Sequence, residues 1–267
     1  MKQKIVDICK GIEKEDHVKI IFAVESGSRV WRMSSKDSDY DVRFVFIRPE
    51  EEYIQINLPS DIITRHYNKE GISCKAKGCF LDFCGFDILK YARMLSSSKP
   101  NSIEWLQSDI IYYGKKPEAF MNFAFNNYNA ISVYYHYKSM CRQNYLKYLK
   151  SGNEVTYKKY LYAMRGLVNA KWVTNTNTLP PIDFEWTLNE IVTHYPEPFI
   201  PPTIIVKILE IIDLKKQQKE KDIIQNETRL DNYIELFLLD DSDCPTIKPK
   251  ATITLLNQEV KKIVFGM

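Results

Sequence analysis

Two aspartates, Asp39 and Asp41, stand at the start of an otherwise apolar stretch of the chain. On a strand, alternate residues point to the same side with their Cα atoms about 6.6–7 Å apart. Both carboxylates would therefore share one face with Arg43, while Val42 and Phe44 would point to the other. Two carboxylates this close raise each other's pKa, so the pair is costly unless a cation lies between them. The pattern predicts a strand that rests one face on a core and carries a cation site on the other.

Magnesium is the cation that suits such a pair. Mg2+ prefers one or two carboxylates together with phosphate oxygens and water, and a third acid makes room for a second ion about 3.5–4 Å away. Asp82, a lone acid in the apolar run 78–83, is the candidate third carboxylate. Asp87 is the alternative, although its position before a helical pattern accounts for it as an N-cap. A calcium loop of the EF-hand type is excluded, because Val42 and Arg48 stand where that loop needs Gly and Glu.

A Gly-Ser pair, Gly27 and Ser28, follows the buried apolar run 18–24. Glycine lets the backbone approach a phosphate closely, and a short helix beginning here, through Arg29 and Trp31, would add N–H donors and positive potential. Taken alone, such a pair is usually just a turn. Together with the aspartates downstream it predicts a turn that binds a triphosphate.

Two kinds of periodicity divide the chain. The first part carries three apolar runs bounded by Gly, Ser, Asp or Pro, and helical stretches that include residues 87–96 and 101–107. From about Lys115, apolar and aromatic residues recur three or four apart, which is typical of helices. We therefore expect one domain of strands and helices over residues 1–114 and a mainly helical domain over residues 115–267.

The composition excludes several classes of protein. The 267 residues carry 37 Lys and Arg against 34 Asp and Glu, for a net charge of +3. This balance is unlike an obligate nucleic-acid coat or a membrane-surface protein, so any nucleic-acid contact should be a local patch. No run of about 18 apolar residues is present, and the N-terminal pattern is amphipathic rather than that of a signal peptide. We expect no membrane partner and a cytoplasmic location, in the host cytoplasm if the source is a phage.

The six cysteines are scattered along the chain, as free thiols in a reducing compartment would be. Cys74, Cys79 and Cys84 recur five residues apart, which is not the C-x2-C spacing of a zinc site, and no His pair completes them. A P-loop, an H-E-x-x-H motif and a G-x-S-x-G motif are also absent from the sequence. The aspartate and Gly-Ser pattern is therefore the main catalytic signal.

The order of these features resembles the signature of the DNA polymerase β-type nucleotidyltransferase superfamily. It is more closely similar to a branch of predicted nucleotidyltransferases of bacteria and phages that is associated with RNA repair. The resemblance is carried by ESGSRVW (25–31), DSDYDVRF (37–44), LDFCGFDILK (81–90), NSIEWL (101–106), HYKSMCRQNYLKYL (136–149) and KKYLYAMRGL (158–167). It implies an α+β fold, in which a nucleotidyltransferase-type mixed sheet with flanking helices precedes a mainly helical domain.

The resemblance also implies a reaction and the residues that perform it. A nucleoside monophosphate would pass from an NTP bound with Mg2+ (or Mn2+) to an acceptor, with release of pyrophosphate. The residues implied for the triphosphate are Gly27, Ser28 and Arg29, and those implied for the metal ions are Asp39, Asp41 and Asp82. Asp82 would in addition help to activate the attacking hydroxyl.

Basic residues of the helical motifs are further candidates for binding a triphosphate or a nucleic-acid backbone: His136, Arg142, Lys158, Lys159 and Arg165. For any one of them a solvated helix face is the simpler explanation. Lys159 and Arg165 are the strongest, because their motif places them among apolar neighbours. The tyrosine-rich stretch 134–148 is expected to be core rather than a platform for stacking bases.

The leading functional hypothesis is a metal-dependent nucleotidyltransferase that acts on an RNA end, with tRNA as a candidate. A second hypothesis keeps the chemistry and changes the acceptor to a protein hydroxyl or a small molecule. A third is a catalytically inactive domain that binds nucleotide or RNA. The presence of all three acids argues against the third.

Overall fold

The chain divides into two compact units. The computed structural model describes residues 1–75, 79–152, 155–217, 222–240, 244–245 and 253–266. The first unit comprises Met1–Val30, Asp39–Tyr128 and Lys250–Met267, and the second comprises Trp31–Ser38 and Asn129–Pro249. The predicted boundary after residue 114 differs from this division, since the first unit continues to Tyr128 and includes the C-terminal segment.

A mixed sheet is the centre of the first unit. In the described residues its strands are β1 (Lys19–Ser26), β2 (Tyr40–Ile47), β3 (Ile62–Tyr67), β4 (Leu81–Asp87) and β5 (Ile111–Gly114). They are ordered β3-β4-β2-β1-β5, with β2 parallel to β4 and the other neighbours antiparallel. The α+β fold class is thereby confirmed.

The apolar runs of the sequence correspond to three of these strands. β2 occupies the predicted stretch 40–47, and β1 extends the predicted run 18–24 as far as Ser26. The run predicted over residues 78–83 corresponds to β4, although residue 78 lies outside the described residues. β3 and β5 are edge strands of the sheet and were not predicted as strands.

Helices flank the sheet in the first unit, and helices also make up most of the described part of the second unit. In chain order the described helices are α1 (Lys2–Glu15), α2 (Ile88–Ser96), α3 (Pro100–Gln107), α4 (Glu118–Asn126), α5 (Ala130–Asn144), α6 (Tyr157–Thr176), α7 (Phe184–His194), α8 (Pro202–Gln217), α9 (Thr228–Leu239) and α10 (Ile253–Phe265). The helices predicted over residues 87–96 and 101–107 are confirmed as α2 and α3. None of the described helices has the length and apolarity that crossing a membrane would require.

The helix α1 contributes to the core on one face of the sheet. Three of its apolar residues recur four and three apart and are buried: Ile5, Cys9 and Ile12. They share a core cluster with Val42 and Phe44 of β2. Asp41 and Arg43 alternate with these apolar residues and stay partly exposed. The predicted division of β2 into an apolar face and a charged face holds over residues 41–44, whereas Val45, on the same face as Arg43, is buried.

In the second unit, α5 and α6 approach each other closely at Gly166. A Cβ atom on Gly166 would lie 2.7 Å from the Tyr137 carbonyl oxygen and the Cys141 nitrogen of α5. The absence of a side chain therefore lets the two backbones pack directly. Tyr134, Tyr137 and Tyr145 are buried in this unit, as predicted for the tyrosine-rich stretch, whereas Tyr135 is exposed and Tyr148 is partly exposed.

Cys74 and Cys79 are joined by a disulfide, so the expectation of six free thiols is wrong for this pair. Their Cα atoms lie 6.7 Å apart, within the range that a disulfide spans. The cysteines that remain free are Cys9, Cys84, Cys141 and Cys244. Sequence spacing could not show this pairing, because it depends on where folding places the two cysteines.

Candidate active site

Asp41 and Asp82 lie side by side at one end of the sheet. Each is the second residue of its strand, and the parallel register of β2 and β4 pairs them directly. Nη2 of Arg43 lies 3.0 Å from Oδ1 of Asp41 and 2.9 Å from Oδ2 of Asp82. Both carboxylate side chains are 31% exposed, so solvent ions can reach them. The structure thus brings together two of the three predicted metal ligands.

The Arg43 guanidinium lies between the carboxylates of Asp41 and Asp82. Burial disfavours its charged form, but the charges of Asp41 and Asp82 outweigh burial and raise the pKa of the guanidinium. The guanidinium therefore stays protonated and offsets the repulsion between the carboxylates. The alternation along β2 predicts that Arg43 lies on the acidic face. It does not predict the contact between Arg43 and Asp82, which lies on the neighbouring strand.

His66 contacts the second carboxylate from the opposite side. It lies on β3 directly across from Asp82, and its Nδ1 is 3.0 Å from Oδ1 of Asp82. Asp82 is thus contacted through one oxygen by Arg43 and through the other by His66. Nothing in the local sequence pointed to His66, because its position depends on the pairing of an edge strand.

The carboxylate pair offers two oxygen ligands to a divalent cation. Oδ1 of Asp41 and Oδ2 of Asp82 both lie within 3.0 Å of Nη2 of Arg43, so the two oxygens converge on one point, which the guanidinium occupies. Two carboxylates are a donor set that Mg2+ accepts. Among the residues that the structure describes, no group of three or more His, Cys, Asp or Glu is arranged to hold a metal ion. The three-acid set that includes Asp39 therefore stays a prediction.

Asp39 and Arg29 meet at the start of β2. Asp39 directly precedes the strand, and its backbone oxygen accepts a hydrogen bond from Nε of Arg29 at 3.1 Å. The Arg29 guanidinium also lies 3.7 Å from the centre of the Tyr40 ring, a cation–π contact. Arg29 thereby ties the turn after β1 to the beginning of β2.

Gly27 makes room for the Asp41 carboxylate. Its φ is +67°, and a Cβ atom built on it would lie 2.3 Å from Oδ2 of Asp41. Glycine is therefore required here for its backbone conformation and for the close approach of the acid. Its predicted role was the approach of a phosphate, and the contact with Asp41 is an additional one. The neighbouring Ser28 is buried, with 6% of its surface exposed.

The prediction of a short helix after the Gly-Ser pair is wrong. Residues 27–32 form turns instead. Gly27 and Arg32 both have positive φ, at +67° and +61°, outside the right-handed helical region. A helix N-terminus is thus absent from this turn, and phosphate binding there would depend on the N–H groups and the hydroxyl of the turn itself.

Asp87 lies at the other end of β4 and has a different role. Its Oδ1 accepts a hydrogen bond from the Leu89 N–H at 2.8 Å, which caps α2 as predicted. Its Oδ2 accepts a hydrogen bond from the Tyr53 hydroxyl at 2.7 Å. Asp82, not Asp87, is the acid of β4 that lies beside Asp41.

Glu25 is a buried acid to which the sequence pattern assigns no role. Its side chain is fully buried at the end of β1, where Oε1 accepts from the Asp41 backbone N–H at 2.9 Å. Oε2 accepts from the Tyr112 hydroxyl at 2.5 Å. Burial raises the pKa of Glu25 to about 7, although both hydrogen bonds oppose the rise. Glu25 therefore fixes the backbone of Asp41. The sequence feature that could have indicated this role is a glutamate at the end of an apolar strand.

The helical candidates lie in the second unit. Arg165 is 2% exposed, and its guanidinium lies 3.9 Å from the centre of the Trp31 ring. It is therefore a core residue of this unit, and its predicted contact with a nucleotide stays a prediction. Lys159 is partly exposed, with Nζ 3.5 Å from the centre of the Tyr148 ring.

Comparison with known proteins identifies the family. Residues 1–258 match the profile of the RNA repair pathway DNA polymerase beta family, RlaP. The chain belongs to this family. Membership in RlaP makes it a polymerase β-type nucleotidyltransferase associated with RNA repair, as the resemblance implied. The match runs through both structural units.

Two individual proteins are similar to this RlaP family member. The uncharacterized protein YcgL of Bacillus subtilis (strain 168) is 35% identical over 233 residues, which cover 86% of this chain and 82% of YcgL. Among solved structures, a nucleotidyltransferase-like protein from Exiguobacterium sibiricum matches with 13% identity and a TM-score of 0.31. That match covers 98% of this chain and 76% of the other.

Proposed function

We propose that this protein transfers a nucleoside monophosphate from an NTP to a hydroxyl at an RNA end, with release of pyrophosphate. A tRNA end is one candidate acceptor. The observation that supports the proposal most is the convergence of the Asp41 and Asp82 carboxylates on one point, next to the turn at Gly27. The family to which the chain belongs supports the choice of RNA.

Asp41 and Asp82 would hold Mg2+ or Mn2+, with Asp39 as the third predicted ligand. When bound, the divalent ions would neutralise charge on the triphosphate and orient the reacting oxygens. Such an ion would have to displace the Arg43 guanidinium from the oxygens that it now contacts. The turn formed by Gly27, Ser28 and Arg29 would bind the triphosphate through backbone N–H groups and side-chain donors.

The reaction requires a base and a leaving group. The acceptor hydroxyl oxygen forms a bond to the α-phosphorus, the bond from that phosphorus to the bridging oxygen breaks, and pyrophosphate leaves. Asp82 is the proposed acceptor of the hydroxyl proton, and the His66 and Arg43 contacts fix the orientation of its carboxylate. Glu25 would hold the Asp41 backbone in place during the reaction.

The test is a transfer assay with each of the four labelled NTPs, total RNA and Mg2+ or Mn2+. We expect label to enter RNA from at least one NTP, and only when a divalent ion is present. Nuclease-treated cell lysate serves as a parallel acceptor. Label that survives nuclease and migrates with protein would replace RNA by a protein hydroxyl, and label on neither acceptor with any NTP would contradict the proposal.

A further inference from the structure

The end of α5 carries a group of cations that the proposed reaction does not use. The helix α5 runs into a π-helical turn at Tyr145–Leu149, and such turns are frequent at functional sites. Lys147 projects from this turn and is exposed, and Lys159 reaches the same place from α6. We call the group formed by Lys147, Tyr148 and Lys159 the π-turn surface.

Tyr148 brings the two lysines together. Nζ of Lys159 lies 3.5 Å from the centre of the Tyr148 ring, and Nζ of Lys147 lies 5.0 Å from it. Hydrogen bonding to Lys147 and the charge of Lys159 lower the pKa of the Tyr148 hydroxyl. The hydroxyl is therefore in a region of positive potential.

No acid among the described residues neutralises these cations. Lys207 and Lys216 in the same unit pair with glutamates, at 3.1 Å for Glu227 and 2.5 Å for Glu185. Neither Lys147 nor Lys159 forms an ion pair with a carboxylate in the part of the chain that the structure describes. In a chain of nearly balanced charge, this makes the π-turn surface a local basic patch.

Tyr145 and Leu146 of the same turn line a neighbouring cavity of about 490 Å³ with both apolar and charged walls, which Lys147, Tyr148 and Lys159 do not line. Leu146 and Leu239 contribute exposed apolar surface, with 47% and 82% of their area accessible. Arg142 and Lys150 add cations, and Glu235 binds Lys150 at 3.1 Å. A partner with phosphates and unstacked bases would match this mixture, because the bases can contact the leucines while the phosphates contact the cations.

We propose that the π-turn surface binds the phosphate backbone of single-stranded RNA. This inference rests on the proposed function, since it names where the RNA acceptor is held. Lys147 and Lys159 would each neutralise a phosphate, and the Tyr148 hydroxyl would donate to a phosphate oxygen. An acidic protein is the alternative partner, and the test includes it.

The experiment measures binding of a short fluorescein-labelled single-stranded RNA by anisotropy, without NTP, at several salt concentrations. The test variant is Lys147→Gln/Lys159→Gln, and the matched control is Lys207→Gln/Lys216→Gln, which loses the same net charge. We expect the test variant to bind roughly tenfold more weakly, with a salt slope lower by about 1.4, at about 0.7 for each phosphate contact. The control and Lys147→Arg/Lys159→Arg should bind like the wild type.

Three results would overturn the inference: no RNA binding by the wild type, wild-type affinity and slope in the Gln variant, or displacement of RNA by polyglutamate at equal concentration. Transfer from labelled NTP is measured in parallel with the same proteins. If the wild type transfers nucleotide and the Gln variant binds RNA as well as the wild type does, the RNA-binding role of the π-turn surface is contradicted and the proposed reaction is not. If RNA binding weakens as predicted but the wild type shows no transfer, the proposed reaction is contradicted and the RNA-binding role is not.

Discussion

At the scale of single residues, the buried Glu25 explains how Asp41 is positioned. A carboxyl with no solvent exposure is costly when charged, and its pKa is raised accordingly to about 7. Hydrogen bonds from the Asp41 N–H and the Tyr112 hydroxyl offset part of this cost. The arrangement connects the end of β1 to the acid of β2 on which the proposed metal site depends.

Glu25 should make the stability of the protein depend on pH. Its pKa is higher in the folded protein, about 7, than its ordinary value of 4.5, so folding favours the protonated form. Its contribution to the free energy of unfolding is complete below about pH 4.5 and is lost as the pH rises through 7. Glutamine does not titrate. The free energy of unfolding of Glu25→Gln, relative to that of the wild type, should therefore rise by about 3 kcal/mol between pH 4.5 and pH 8. Denaturant unfolding at both pH values checks this, and an unchanged difference would contradict it.

Gly27 should tolerate no side chain, for a reason that can be separated from backbone strain. Gly27→Ala would place a Cβ atom against the Asp41 carboxylate and displace it, so transfer should fall by about 100-fold. Gly152→Ala is the matched control, since Gly152 has a similar φ of +69° and no atom within 4 Å of an added Cβ. Equal transfer by both variants, measured from labelled NTP, would show that the contact with Asp41 has no catalytic consequence.

At the scale of elements, β4 carries two acids with opposite roles at its two ends. Asp82 faces Asp41 and Arg43, whereas Asp87 caps α2. Asp82→Asn should abolish transfer, because an amide is a poor ligand for the ion and cannot accept the proton. Asp87→Asn should retain it, because asparagine is also a good N-cap. The transfer assay with both variants decides, and loss in the Asp87 variant with retention in the Asp82 variant would reverse the assignment.

The elements also show what the sequence could predict. Alternation along β2 predicted which side chains are buried and which are charged, and the position of Asp87 before an apolar helix predicted a cap. The helix expected after Gly27 failed, because two positive φ values are a property of the folded turn and not of the local pattern. Arg43 and His66 acquire their contacts with Asp82 from strand pairing, which no single segment specifies.

At the scale of the whole molecule, the family match extends from the sheet through the helical unit. The helical motifs of the sequence therefore belong to the same family signature as the acids. The predicted boundary at residue 114 missed the assignment of α4 and α10 to the first unit, because their packing depends on contacts distant in sequence. The net charge of +3 restricts nucleic-acid binding to a local surface, as the π-turn surface would provide.

We propose that the Asp41 and Asp82 carboxylates form a divalent cation site in which Arg43 is the internal competitor. The most direct measurement is Mn2+ binding, followed by electron paramagnetic resonance, to the wild type and to Arg43→Gln. The matched control is Arg65→Gln, which removes a guanidinium on β3 of the same sheet that binds Asp16 at the end of α1. We predict that the wild type and the Arg65 variant bind Mn2+ equally and that the Arg43 variant binds it several-fold more tightly. Unchanged affinity in the Arg43 variant, or no Mn2+ binding by any of the three proteins, would contradict the claim.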